Sequence, residues 1–197
     1  MRRLPARHNL PKPAQGRLEK ETKVIVASPD PKESARKRYA AARKAKWFKP
    51  VLKTLAEMSG SGQPCMFCDS NEATDVEHYR PKAVYPKLAL TWDNLLWGCA
   101  NCNRHKGDHF PPDTKPGGRI INPLDENVWD FFFIDRHGLL IPKWRPDENA
   151  LDDRAVSTRD LLRLNRETLQ ARRQSRLSDL RRLVNSTLKE FRANEIT

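Results

Sequence analysis

The 197 residues contain four cysteines, in two pairs that each enclose two residues: Cys65 with Cys68, and Cys99 with Cys102. Thirty residues separate the pairs. A Cys-x-x-Cys turn can direct two sulfurs at one ion, so two such knuckles supply the four thiolates of a tetrahedral zinc. Disulfides are the competing use. The start, MRRLPARHNL, has no apolar stretch after its basic residues such as a secretory signal needs. No run approaches 18 apolar residues, so no membrane association is expected. Cytoplasm is the expected compartment, and its reducing conditions favour metal over disulfide. A metal staple also suits a chain with 38% hydrophobic against 31% charged residues, which has little apolar material for one large core.

A structural zinc ribbon needs only its four ligands, yet a long insert lies between these knuckles. From Thr74 through the second knuckle to Lys106 the chain reads TDVEHYRPKAVYPKLALTWDNLLWGCANCNRHK. Within it, Glu77-His78-Tyr79-Arg80-Pro81-Lys82 places a hard oxygen ligand, a candidate general base and two cations in six residues. Those are the groups that hydrolyse a phosphodiester with a divalent metal. Arg80 and Lys82 could meet phosphate or stand solvated, and Trp92 and Trp97 read as core aromatics.

The order CMFC, VEHYRPK and WDNLLWGCANCNRHKG resembles the HNH nuclease family, in the subgroup with a two-knuckle structural zinc; the resemblance covers residues 65–107. It implies a ββα-metal core and a metal-dependent endonuclease acting on DNA. It also implies that Glu77 binds a catalytic Mg2+ or Mn2+, that His78 activates water, that Asn94 steadies the loop and that Asn103 completes the metal site. Asn103 stands where many members carry histidine, and its side-chain carbonyl is a competent ligand for a hard cation. His105 is the rival ligand, but on a helix it lies about 200° around the axis from Asn103 and should face away. Lys106 shares Asn103's face and is the candidate phosphate contact. Side chains of successive strand residues point to opposite faces, so Glu77 and His78 can serve one site only where the backbone bends or bulges.

The flanks, Ile121-Asn122-Pro123 before FFFIDRHGLL and LLRLNRETLQARR from Leu161 to Arg173, resemble a narrower group. These are the HNH subunits of Septu-type and retron-associated anti-phage systems, which act beside an ABC-type ATPase. Two other readings stand: a non-catalytic zinc module that binds nucleic acid or recruits a partner, and an HNH nuclease of a restriction or mobile-element system. The Glu77-His78 pair distinguishes the enzyme from the zinc module. No element suited to reading bases is evident, so little intrinsic sequence specificity is expected.

The expected fold class is α+β, in five segments. Residues 1–30 read as an extended basic arm in which KVIVA could add a short strand. Residues 31–60 read as a basic helical segment. Asp30 would cap it with Glu33 reaching back, Pro50 would break it near Lys49, and Phe48, Val51, Leu52 and Leu55 would form its buried face before a stop at Gly60-Ser61-Gly62. Residues 61–118 form the zinc-stapled HNH core, and 119–150 a β-hairpin extension built on FFFIDRHGLLIPK. Residues 151–197 read as closing helices. There, Ser157-Thr158-Arg159-Asp160 would be a capping box, Asn165 would separate two helices, and Leu177, Leu180, Val184, Leu188 and Phe191 form a stripe. Residues 1–60 hold 16 Lys and Arg against 5 Asp and Glu, most of the net +12. Such charge would attract a phosphate backbone or an acidic protein such as a partner ATPase, and a solvated helix face carries the same signature.

Overall fold

The computed structural model describes residues 4, 6–111 and 120–194. The boundary expected at residues 118/119 lies outside them. Half of the segment expected to be an extended arm is instead helix α1, Lys12–Val26. Pro11 caps the helix and Pro13 sits in its first turn, where a missing amide proton costs nothing. Ala14, Leu18, Glu21 and Ile25 recur at helical spacing and are buried together. KVIVA, expected to be a strand, forms the end of this helix because Ile25 belongs to that inward face.

Helix α2, Pro31–Lys44, starts as the sequence indicates: the Asp30 side chain accepts from the amides of Lys32 and Glu33. Glu33 turns away from the cap and pairs with Arg36 and Lys37. Glu21 on α1 accepts from Arg38 on α2 at 2.6 Å. The chain breaks at Ala45, which is extended, and not at Lys49; a single 3-10 turn, Lys46–Phe48, then leads into α3, Lys49–Met58. Pro50 sits in the first turn of this new helix, where it is tolerated. Val51, Leu55 and Met58 are fully buried, and Gly60 and Gly62 come next with positive φ.

Strand β1, Ala73–His78, pairs antiparallel with β2, Leu95–Cys99, in the register Glu77↔Leu96 and His78↔Leu95. Helix α4, Ala100–Lys106, continues from β2 without a break. This ββα unit carries the candidate site. Gly98 is required where it stands, because a Cβ there would lie 2.7 Å from Glu77 Cβ. Tyr79 anchors the unit to the chain downstream of it, donating its hydroxyl to the Ile120 carbonyl at 2.5 Å.

The expected hairpin is present as β3, Phe132–Ile134, and β4, Leu140–Pro142; a second small hairpin joins β5, Trp144–Arg145, to β6, Ala150–Leu151. Helix α5, Asp153–Leu161, begins before the expected capping box, with Asp152 as its cap. Thr158 is fully buried inside this helix, where it accepts from the Ile121 amide and donates to the Arg154 carbonyl. Asn165 does fall between α5 and α6, Glu167–Asn194, and its side-chain amide pairs with both the amide and the carbonyl of Leu140. One apolar cluster runs from Leu18 and Ile25 on α1 through the ββα unit to Leu169 on α6. The outer turns of α6 lie beyond it: every side chain from Ser178 to Arg192 is exposed, including Leu180, Val184, Leu188 and Phe191.

Candidate metal centre and active site

The first knuckle turns at Asp69, whose φ is +62°. Its amide bonds the Cys65 carbonyl at 2.8 Å, and Met66 donates its amide to the Trp97 carbonyl at 2.9 Å, which lays the knuckle against β2. In the second knuckle the Cys102 amide donates to Cys99 Sγ at 3.4 Å. The four sulfurs lie within 4.8 Å of one another and all four residues are buried. Cys68 Sγ and Cys99 Sγ are 3.7 Å apart. Sulfurs about 2.3 Å from a shared zinc stand roughly 3.8 Å from each other, so the cluster fits that ion. Hydrogen bonds with the other thiols, Cys102 first, draw Cys68 well below the usual thiol range; those with Cys102 and then Cys65 draw Cys99 to about 6, while Cys102 is pushed up.

One contact here has no local signal in the sequence. Arg166, in the link between α5 and α6, donates to Cys68 Sγ at 3.4 Å. A zinc bound by four thiolates carries net negative charge, and a guanidinium beside one sulfur offsets part of it. Arg7 is also structural: its guanidinium reaches the carbonyls of Trp92, Asp93 and Leu95 at 2.9–3.0 Å and so pins the start of β2. The spare positive charge read in the N-terminal segment is, at Arg7, already engaged.

On β1 the register slips between Ala73 and Asp75, not at Glu77-His78. Glu77 and His78 therefore leave a regular strand on opposite faces. Glu77 meets α4, where its Oε1 lies 2.7 Å from Lys106 Nζ, with the two side chains 6% and 1% exposed. Lys106 is thus the buried counter-ion of Glu77, and its ammonium is not open to solvent as a phosphate contact requires. Burial pushes the Glu77 carboxyl above its ordinary range, and the Lys106 ammonium pulls it back.

His78 faces the other way. Its Nε2 lies 2.9 Å from the Ala89 carbonyl, and the Tyr39 ring of α2 packs against the imidazole at 4.8 Å. A carbonyl can only accept, so Nε2 carries the proton and Nδ1 keeps its lone pair. Burial holds the imidazole neutral, with its pKa down to about 3. Asn94 clamps the loop between the strands: Oδ1 accepts from the Arg80 amide, and Nδ2 donates to the carbonyls of Arg80 and Leu88. Asn103 is exposed on α4, and its side chain has no hydrogen-bond partner among the described residues. His105, on another face of α4, is lowered from its ordinary pKa by desolvation and by Arg163, Arg166 and Arg104.

Residues 65–109 match the family model described as HNH endonuclease. Three relatives align over a comparable length. "Septu protein PtuB" of Bacillus thuringiensis is 40% identical over 82 residues, 39% of this chain and 30% of that protein. Its namesake in Bacillus mycoides is 35% identical over 94 residues, 39% of this chain and 31% of that protein. "Protein ea31" of Escherichia phage lambda is 32% identical over 78 residues, 39% of this chain and 25% of that protein. The chain spans about a third or less of the length of these curated relatives. No helix among the described residues is long and apolar enough to cross a membrane. The two strands, the helix after them and the paired knuckles are the frame of the matched stretch, and the chain thus carries an HNH endonuclease domain at residues 65–109.

Proposed function

We propose that the chain is a metal-dependent endonuclease that hydrolyses DNA phosphodiester bonds, with His78 as the general base. The observation that supports this most is the His78 tautomer. With the Nε2 proton given to Ala89, Nδ1 is the ring's one acceptor, and a neutral imidazole is the form a base must have. Nδ1 takes a proton from water as the water oxygen bonds phosphorus, and the bond from phosphorus to the 3′ oxygen breaks. The 3′ oxygen leaves as an alkoxide and takes a proton from solvent water, so the products are a 5′-phosphate and a 3′-hydroxyl. Asn103, exposed on α4, offers a hard oxygen donor, which suits Mg2+ or Mn2+ better than zinc, while the cysteines suit zinc; Glu77, on the opposite face of β1 from His78 and paired with Lys106, would join the metal only by giving up that lysine. A bound Mg2+ or Mn2+ would supply positive charge to the phosphate as its negative charge grows. Asn94 keeps Arg80 and the loop behind it in place. The likeness to two Septu proteins supports a place in an anti-phage defence complex with an ABC-type ATPase.

The Glu77–Lys106 pair favours a second reading, in which a carboxylate already neutralised and closed to water belongs to a non-catalytic zinc module. Plasmid cleavage separates the two. Magnesium is titrated into zinc-loaded protein, with the ATPase present, for the parent, His78→Ala, Glu77→Gln and Asn103→Ala. The nuclease reading expects His78→Ala to bind DNA without cutting it, and the other two to need more magnesium or to fail. Cleavage by well-folded His78→Ala at the parent's rate would refute it.

A further inference from the structure

The imidazole of His78 is fixed by two contacts, and only one belongs to the HNH domain. The Ala89 carbonyl fixes Nε2. The second contact is Tyr39, on α2 and outside residues 65–109, whose ring meets the imidazole at 4.8 Å between centroids and 64° between planes. We propose that Tyr39 is a positioning residue for His78, holding the imidazole so that Nδ1 keeps its aim at the attacking water; this rests on the nuclease reading of His78. An imidazole held by one hydrogen bond can still rock about that bond, and can exchange it by a ring flip that presents the other nitrogen. A ring packed edge-on against its side blocks both motions.

Tyr39 is itself held on several sides. The Phe48 ring lies 6.3 Å away at 88°, and the Lys82 ammonium sits 5.1 Å from the Tyr39 ring centroid. Phe48 is fully buried at the head of α3, so the chain of contacts from Phe48 through Tyr39 to His78 starts in the core. Lys82 lies on the loop that Asn94 clamps, so the base and that loop share one aromatic support. Helix α2, read from sequence as part of a basic helical segment, thereby helps to hold the candidate base. It is the ring that makes the contact with His78, and no described residue receives a hydrogen bond from the Tyr39 hydroxyl. Phenylalanine should therefore replace tyrosine, whereas leucine or alanine should not.

The test uses the zinc-loaded full chain with Tyr39→Phe, Tyr39→Leu and Tyr39→Ala, each scored per folded molecule. With the ATPase present, Tyr39→Phe should keep kcat within about twofold. Tyr39→Leu and Tyr39→Ala should lose about ten- to hundredfold in kcat with KM unchanged, the scale expected when a reacting group is misplaced by about 1 Å. Nitrogen-15 NMR of the His78 ring provides a readout independent of cleavage: one Nε2–H tautomer in the parent and Tyr39→Phe, and both tautomers in Tyr39→Ala. A Tyr39→Ala protein that keeps the parent's kcat overturns the proposal. So does one that loses kcat while its single tautomer persists, since that loss would come from packing alone. If the parent itself cuts no DNA, the nuclease reading fails separately, and an unchanged tautomer in Tyr39→Ala then overturns the positioning role on its own.

Discussion

Replacing Lys106 by methionine tests the buried pair that joins α4 to β1. At 2.7 Å between Nζ and Oε1, the direct attraction is about 6 kcal/mol at an effective dielectric of 20. Removing two ions from water cancels most of that gain, so the pair adds little net stability. Breaking it is another matter. Lys106→Met strands a carboxylate that is 6% exposed, and such a loss costs about 3 to 5 kcal/mol. Glu77→Gln strands the ammonium at a similar cost, whereas the double variant leaves no charge and should cost far less than the two singles together. Urea unfolding of zinc-loaded protein at pH 7.5 measures all four corners, and the expected coupling is at least about 3 kcal/mol, the upper end for residues in direct contact. Acidity gives a second check. Burial raises the Glu77 pKa in the folded chain, so the folded state of Lys106→Met binds a proton more readily than the unfolded state does. The deficit of Lys106→Met should therefore shrink as pH falls through that raised value and grow as pH rises. Strict additivity of the singles, or a deficit that does not change with pH, would refute the coupled pair.

Three further outcomes are expected. Cys99→Ala should lose the zinc and unfold the core, because it opens a site closed by four thiolates; a folded variant that kept one zinc per chain would contradict the assignment. Arg166→Ala should leave zinc stoichiometry intact but speed zinc loss to a chelator by about 10-fold or more, the lower end for outer-shell changes, as read by a colorimetric zinc indicator. His78 is depressed from 6.5 to about 3 in the fold. Between those values the unfolded chain binds the extra proton, so the parent loses stability as pH falls from about 6.5 towards 3. His78→Gln should lose measurably less over the same range, and parallel curves for the two proteins would refute the buried neutral imidazole.

The features legible in the sequence were those governed by local rules. The cysteine spacing announces two knuckles because each turn of four residues determines where its own sulfurs go, and Asp30-Pro31 announces a helix because capping involves only the next few amides. Helix α1 was obscured by its prolines and by Glu21, a charged residue on the inward face that is tolerable only because Arg17 and Arg38 meet it. The start of α5 was misjudged because Ser157-Thr158-Arg159-Asp160 satisfies the capping pattern as well as Asp152 does; only the burial of Thr158 against Ile121 decides between them. Arg166 reaches a sulfur 98 positions away, and nothing in its own neighbourhood signals that contact. The burial of Lys106 was hidden for a related reason: a lysine at the end of a short helix reads as solvated until its partner on β1 is known.

The long last helix has a mechanical side. Its 28 residues make a rod about 42 Å long, held at the root and exposed beyond. At the root Arg173 grips the carbonyls of Gly138 and Leu164, Arg176 bonds Asp69 at 2.8 Å, and Arg166 just before the helix bonds Cys68. Two of those three anchors end on the first zinc knuckle. A sideways load on the outer turns acts with the rod's free length beyond Arg176 as lever arm, and the knuckle is part of the fulcrum that resists it. The four-cysteine site, with zinc bound, would therefore serve as a mechanical footing for the rod as well as a staple for the core.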